Sequence, residues 1–213
     1  MLEVVERYDV DGIHFDYIRY PGTRGCYCEG CRKRFESSIG RRVQKWPKDC
    51  ISGSLQEEYR RWRRDRITRL VATVSKEARR LKPRVKVSAA VFADYPACTV
   101  SVAQDWVLWV RNGYLDFVCP MDYTSNDDRF RELVSKQLEF VGGRVPVYPG
   151  IGAWRLTPDR VVGQIEIARG LGAQGFTVFN LSEESAGTLL PAIRCGVGRR
   201  KAVAPHKQQS WRR

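Results

Sequence analysis

The sequence has no long apolar run, few histidines and no recognisable leader. None of its apolar runs approaches the roughly 20 residues of a membrane-spanning helix, so no membrane span is predicted. Residues 1–7 show neither the charged nor the apolar region of a secretory signal peptide. With two histidines, the chain lacks the imidazole cluster of a catalytic zinc site. The cellular location stays open, and a bacterial secreted or periplasmic protein is expected only if a signal peptide precedes this segment.

The composition indicates one folded domain and a basic tail. Of the 213 residues 43% are hydrophobic, enough for one sizeable core. We predict a domain over residues 1–195 and a basic, disordered tail over residues 196–213. The net charge of +13 suggests a nucleic-acid partner, but the arginines of residues 60–80 are interspersed with acids, as on a solvated helix face. No dedicated nucleic-acid binding is therefore predicted, and it is kept as the weakest alternative function.

Strand and helix patterns alternate along the chain. Short apolar segments predict strands at residues 10–18, 85–93, 115–121, 145–149 and 175–180. Helical spacing predicts helices at residues 2–8, 32–39, 55–81, 103–111, 128–141, 157–169 and 185–194. This alternation predicts a parallel sheet with right-handed crossovers.

Residues 11–21 form the most informative segment, Asp-Gly-Ile-His-Phe-Asp-Tyr-Ile-Arg-Tyr-Pro. Strand alternation predicts one face with His14, Asp16 and Ile18 and another with Ile13, Phe15 and Tyr17. A polar group on a half-buried strand needs a partner or water, so Asp16 is expected to open into a wet cleft. The alternative is that Asp16 caps the following loop or pairs with Arg19.

This segment closely resembles the strand-4 signature of the glycosyl hydrolase-like family 10 domain, a group of carbohydrate-active (β/α)8 barrels. The resemblance continues at residues 26–31, 104–106, 115–124 and 149–151, and it spans most of residues 3–195. It implies an α/β fold, a partial (β/α)8 TIM barrel with about five β/α units that resemble strands 4–8.

The count of five predicted strands, against the eight of a closed barrel, suggests that three units are missing. A truncated gene product, a separate subunit with the amino-terminal part of the barrel, or a homo-oligomer would each account for this. The resemblance implies a glycoside hydrolase when the barrel is complete, and we expect this chain alone to be inactive.

Three carboxylates follow predicted strands, where barrel active sites lie: Asp16, Asp94 and Asp122. Glycoside hydrolysis uses two carboxyl groups that flank the scissile bond. We predict Asp16 as the nucleophile of a retaining enzyme, kept ionised by Arg19 or His14. Asp122 is the predicted acid, because apolar neighbours raise a carboxyl pKa, and Asp94 is the rival acid. For Asp94 and Asp122 the alternative role is to cap a loop. For the protein as a whole, the alternative function is that of a non-catalytic carbohydrate-binding or structural barrel.

Other side chains near strand ends are predicted to bind an oligo- or polysaccharide. Aromatic rings stack on the apolar faces of sugars, and polar groups hydrogen-bond their hydroxyls. The predicted substrate-binding residues are His14, Arg19, Tyr20, Tyr123, Tyr148, Trp154 and Asn180. Core packing is the alternative for the aromatic residues, and a turn cap is the alternative for Asn180.

The cysteines cluster in one place. Three of the seven, Cys26, Cys28 and Cys31, lie within six positions, which is more typical of metal ligation than of a disulfide framework. The spacing is similar to the zinc loop of family 42 β-galactosidases, where another cysteine comes from earlier in the barrel. We predict no catalytic cofactor and a structural zinc site, with free thiols or a local disulfide as alternatives of equal weight. A tetrahedral site needs a fourth ligand, and Cys50 is the nearest candidate.

Overall fold

Five parallel strands form one curled sheet in the computed structural model, which describes residues 1–204. The strands are β1 (Gly12–Phe15), β2 (Lys86–Phe92), β3 (Phe117–Met121), β4 (Gly150–Gly152) and β5 (Thr177–Phe179). Each strand pairs with the next one along the chain, in parallel. This order is that of successive units in a TIM barrel, so the predicted partial barrel is confirmed. Within the described residues β1 and β5 are the two edges, and the expectation that a subunit or second copy covers them stays a prediction.

Helices connect the strands and cover one face of the sheet. The α-helices are α1 (Leu2–Arg7), α2 (Glu29–Ile39), α3 (Lys48–Ile51), α4 (Gln56–Leu81), α5 (Ala97–Ser101), α6 (Trp106–Arg111), α7 (Asp127–Val141), α8 (Pro158–Gly170) and α9 (Leu190–Cys195). A 3₁₀ turn (Ala153–Arg155) follows β4, and a π-helical turn (Ser185–Leu189) precedes α9. The longer predicted helices are present. The short α3 and α5 escaped prediction because four or five residues carry too little periodicity.

Two apolar clusters lie between the sheet and its helices. The larger one packs β1–β3 against α4 and α6, with Val87, Trp106 and Trp109 fully buried. The second one packs Ile151 of β4 against α7, α8 and α9. The outward-facing strand residues thus make the core, and their opposite face is left to line the barrel interior.

A third cluster supports the loop that follows β1. Phe35 of α2 packs against the rings of Tyr59 and Trp62 on α4, and the latter two rings stack with centroids 5.3 Å apart. Next to Trp62 on α4, the buried Arg63 lies over the Tyr20 ring at 4.2 Å and donates a hydrogen bond to the carbonyl of Gly22. The path of the chain after Asp16 is therefore fixed by contacts with α4.

The first strand is shorter than predicted. It ends at Phe15, and Tyr17 adopts a left-handed backbone with φ of 52°. The predicted alternation therefore holds through Phe15 and is wrong beyond it. Because Phe15 is buried, continued alternation would bury Tyr17 and expose Ile18. Instead Tyr17 is 75% exposed and Ile18 is 7% exposed. The turn at Tyr17 directs the chain away from the sheet immediately after Asp16.

The fourth strand was predicted in the wrong place. The prediction placed it at residues 145–149, but β4 spans Gly150–Gly152, and Val147 makes an isolated bridge to Val118. Pro146 and Pro149 lack the N–H donors that a continuous ladder requires. Pairing therefore becomes regular only after the second proline.

The predicted tail is described in part. Residues 199–204 have no regular secondary structure, and the remainder of the tail, residues 205–213, lies outside the described residues. Its predicted disorder stays a prediction. Among the helices in residues 1–204, none combines the length and the apolar character that crossing a membrane would require.

The contact between α4 and α6 gives a first testable expectation. The fully buried Trp109 donates its indole N–H to the hydroxyl of Thr68 at 2.9 Å. Thr68→Val keeps the side-chain shape but leaves that N–H without an acceptor, so the free energy of unfolding should fall by about 1–3 kcal/mol. Urea unfolding followed by tryptophan fluorescence measures the change. Thr68→Ser keeps a hydroxyl acceptor, so its free energy of unfolding should fall much less. Equal losses of stability in the two variants would contradict the role of the hydrogen bond.

Candidate active site

Asp16 follows the carboxyl end of β1 and is exposed. Its Oδ1 accepts a hydrogen bond from the backbone N–H of Tyr17 at 2.7 Å, which orients the carboxylate across the left-handed turn. Within residues 1–204 it takes part in no ion pair. This is the position in which a barrel presents a reactive carboxylate to a substrate.

Aromatic rings line the same end of the sheet. Tyr123 follows β3, and its ring meets those of Trp154 at 4.7 Å and Phe179 at 5.1 Å, both edge to face. Burial, then the negative charge of Asp16, raises the pKa of the Tyr123 phenol. The charge of Asp16 therefore acts on Tyr123, and the Tyr123 ring in turn contacts Trp154.

A cavity of about 250 Å³ opens beside Trp154, between the 3₁₀ turn and the segment after β5. Its lining includes the polar residues Asn180, Glu184 and Thr188. The indole of Trp154 is 58% exposed, so a ligand could stack on it without displacing core residues. Asn180 thus lines this cavity together with Trp154, and its role in substrate binding stays a prediction.

Asp122 differs from Asp16 in its surroundings. It has no exposed surface, and its Oδ1 accepts a hydrogen bond from Nε2 of Gln137 on α7 at 2.7 Å. Asp122 Oδ2 and Gln137 Oε1 are buried without partners. Burial raises the pKa of Asp122 to about 8, against the lowering effect of the Gln137 hydrogen bond. When the Asp122 carboxyl is protonated, it can donate a hydrogen bond. The Asp122–Gln137 pair otherwise contains two buried acceptors, Oδ2 and Oε1, that have no donor.

Asp94, the rival acid, lies on the surface. Its Oδ2 forms an ion pair with Arg129 of α7 at 3.0 Å. The side chain is 64% exposed. Asp94 and Asp122 thus differ from Asp16 in that both are held by side chains of α7, Arg129 and Gln137.

His14 and Arg19 flank Asp16 in the sequence, on β1 and in the turn that follows it. His14 Nδ1 lies 2.8 Å from the hydroxyl of Ser88, its register partner on β2. Partial desolvation lowers the pKa of His14, and the charge of Asp16 opposes that shift. The Arg19 guanidinium lies over the rings of Tyr17 at 4.7 Å and Phe92 at 5.1 Å. Arg19 thus stacks on aromatic rings, and among the described residues it makes no ion pair with Asp16.

Two predicted substrate-binding residues lie elsewhere. Tyr20 carries Arg63 over its ring and points toward the cysteine cluster. Tyr148 is 7% exposed and packs against Phe117, the first residue of β3. β4 starts only at Gly150, so Tyr148 precedes the strand, and its packing on Phe117 leaves little surface for a ligand. The structure therefore places both residues outside the candidate site.

Three functional residues were missed by the sequence analysis. Phe92 and Phe179 end β2 and β5 and contribute rings to the site. Strand alternation could have identified both. Gln137, the partner of Asp122, carries no such signal, because a buried glutamine on a helix is recognised only once the helix is packed.

The cysteine cluster lies at the start of α2. The sulphur atoms of Cys26, Cys28 and Cys31 all lie within 4.8 Å of one another, and Arg34 donates to the Cys31 sulphur at 3.4 Å. The backbone amide of Cys31, followed by the neighbouring thiols, lowers the pKa of Cys28 to about 7, and burial raises that of Cys31 to about 11. Cys50 is buried in the adjoining apolar cluster but does not belong to this group.

These features define the class of protein: part of a parallel α/β barrel with a carboxylate and aromatic rings at the carboxyl ends of its strands. The family model described as Glycosyl hydrolase-like 10 matches residues 1–151. The chain belongs to this family.

Two curated relatives and one solved structure extend the comparison. Glycosyl hydrolase YngK of Bacillus subtilis (strain 168) is 25% identical over 217 residues, which cover 87% of this chain and 40% of the relative. An S-layer-related protein of Niallia circulans is 22% identical over 219 residues, which cover 85% of this chain and 14% of the relative. The chain thus spans less than half the length of either relative.

The solved structure is the PgaB (BpsB) glycoside hydrolase domain from Bordetella bronchiseptica. It superposes with a TM-score of 0.73 at 13% identity, over 91% of this chain and 58% of that domain. At this level of identity the likeness shows the fold, and it agrees with a partial barrel.

Proposed function

We propose that this chain carries the catalytic end of a glycoside hydrolase that acts on an oligo- or polysaccharide, with Asp16 as its nucleophile. The observation that carries the proposal is the exposed carboxylate of Asp16, which is free of ion pairs within residues 1–204 and whose charge acts on Tyr123, a ring in contact with Trp154. Family membership and the two hydrolase names among the comparisons support the reaction class.

A retaining reaction needs a second carboxyl group to protonate the leaving oxygen. Asp122 has the protonation state of an acid near neutral pH, but it has no exposed oxygen. Asp94 is exposed, but it is paired with Arg129. We keep Asp122 as the proposed acid and Asp94 as its rival, and the hydrolysis rates of Asp122→Asn and Asp94→Asn decide between them.

Non-catalytic carbohydrate binding is the second candidate function. The observation that favours it is that Asp122 has no exposed surface and Asp94 is held in an ion pair with Arg129, so neither is free to act as the acid. In that case the Asp16 carboxylate accepts hydrogen bonds from sugar hydroxyls, and the rings supply the stacking surface.

One experiment separates the two functions. This chain, completed with the amino-terminal barrel units that are expected to be missing, is incubated with a panel of oligosaccharides. Binding is measured by calorimetry, and products are separated by chromatography. NMR identifies the anomer of the product that forms first. If that product retains the anomeric configuration of the substrate, the retaining proposal is supported. Binding without products supports the second function, and neither binding nor products over the whole panel contradicts both.

The exposed indole gives a further expectation. Trp154→Ala removes the stacking surface beside Asn180 and should weaken oligosaccharide binding about tenfold, which corresponds to the energy of one sugar–aromatic contact. Calorimetric titration measures the loss. Because Trp154 is 58% exposed, the melting temperature should change little. Trp154→Phe keeps a ring and should retain most of the affinity, and unchanged affinity in Trp154→Ala would remove this residue from the site.

A further inference from the structure

The cysteine cluster, outside the candidate active site, has the geometry of a metal centre. Cys26, Cys28 and Cys31 place three sulphur atoms within 4.8 Å of one another. In a tetrahedral zinc–thiolate site, zinc–sulphur bonds of about 2.3 Å set the sulphurs about 3.8 Å apart. A shift of about 1 Å at most, within the reach of a side-chain rotation, would close the cluster on an ion.

The loop is held in this shape by contacts that need no metal. The Tyr27 ring, between two of the cysteines, stacks on Tyr59 at 5.4 Å and meets Trp46 edge to face at 6.0 Å. Trp46 donates its indole N–H to the Tyr27 carbonyl at 3.1 Å, and Tyr59 donates its hydroxyl to the Cys26 carbonyl. Two aromatic contacts and two hydrogen bonds therefore hold the cysteine loop in a shape that brings the three sulphur atoms together.

The donor set selects the kind of ion. Within residues 1–204 the group contains sulphur ligands and no carboxylate or imidazole, a composition that favours zinc over magnesium or calcium. The Arg34 guanidinium, 3.4 Å from the Cys31 sulphur, offsets the negative charge that three thiolates leave around a divalent ion. On binding, the three S–H protons pass to solvent as the three sulphur–metal bonds form.

From this geometry we propose that Cys26, Cys28 and Cys31 bind one Zn²⁺ ion, with a water molecule in the fourth position on the exposed side of Cys28. The site is structural. It ties the loop after β1 to the start of α2, next to the contacts of Arg63 with Tyr20 and Gly22. This proposal does not depend on the proposed function.

The test is metal content by mass spectrometry after expression in zinc-supplemented medium and dialysis. The wild-type chain should retain about one zinc per molecule, and Cys28→Ser should retain little. Because Cys28 is exposed, its replacement leaves the core intact, which circular dichroism verifies. Cys195→Ser, another exposed cysteine outside the cluster, is the matched control and should keep the metal.

Two further measurements keep the proposal falsifiable. Chelation should speed trypsin cleavage after the exposed Arg24 several-fold, and added Zn²⁺ should reverse the effect. Co²⁺ substitution should give thiolate charge-transfer and tetrahedral d–d absorption bands. The proposal would be overturned by a metal-free wild-type chain with free thiols. It would also be overturned by a wild-type chain whose mass is lower by two hydrogen atoms, which indicates a disulfide. Loss of zinc in Cys50→Ala would overturn the three-cysteine site by making Cys50 a ligand.

Discussion

In the completed barrel, replacing Asp16 with asparagine should reduce glycan hydrolysis by about a thousandfold or more. The amide keeps the size of the side chain and an acceptor for the Tyr17 N–H, so the local turn should persist. It cannot form the glycosyl–enzyme bond that the proposed mechanism requires. Initial rates on the substrate found in the oligosaccharide panel measure the change.

The matched control is Asp9→Asn. Asp9 is fully exposed and lies before β1, at the opposite end of the strand from Asp16. This variant loses the same charge and should keep wild-type activity. Oligosaccharide affinity should change much less than the rate in Asp16→Asn. Equal rates for wild type and Asp16→Asn would remove Asp16 from the chemistry.

Replacing Asp122 with asparagine should change how stability depends on pH. In the folded protein, burial raises the pKa of Asp122 from 3.8 to about 8. Between these values the folded state holds a proton that the unfolded state has lost, so stability falls as pH rises. The full effect is on the order of 5 kcal/mol between pH about 4 and about 8. The amide in Asp122→Asn does not titrate, and this part of the pH dependence should disappear.

Urea unfolding at a series of pH values measures the effect. The free energy of unfolding of wild type minus that of Asp122→Asn should decrease from pH about 4 to about 8 and level off above. Asp128→Asn, on the exposed side of α7, controls for the loss of one charge. A difference that is constant with pH would contradict the buried neutral carboxyl. If hydrolysis also survives in Asp122→Asn, the proposed acid role is wrong and Asp122 serves the packing of α7.

Local sequence signals predicted much of the fold because they depend on neighbours in the chain. The spacing of apolar residues in α4 and α7 predicts long helices, and both helices occur within one or two residues of the prediction. Strand β1 was found from its alternation, but its end was not. A single residue, Tyr17, leaves the extended conformation, and no period reveals such a change.

The same limit applies to β4. Its apolar residues predict a strand, whereas its two prolines determine where the ladder can form. Tyr148 accordingly precedes β4, and its ring packs on Phe117 with little surface left for a ligand. A shift of a few residues along a strand thus decides whether a side chain can reach a ligand.

The sequence by itself determined the order of strands and helices, the family resemblance, the place of Asp16 after a strand and the grouping of the three cysteines. These features depend on residue type and spacing along the chain. Only the tertiary structure decided which carboxylates meet solvent. Asp94 and Asp122 follow strands as Asp16 does, yet α7 pairs one with Arg129 and buries the other against Gln137. The physical reason is that exposure, desolvation and pairing are set by neighbours distant in sequence, which a strand motif does not specify.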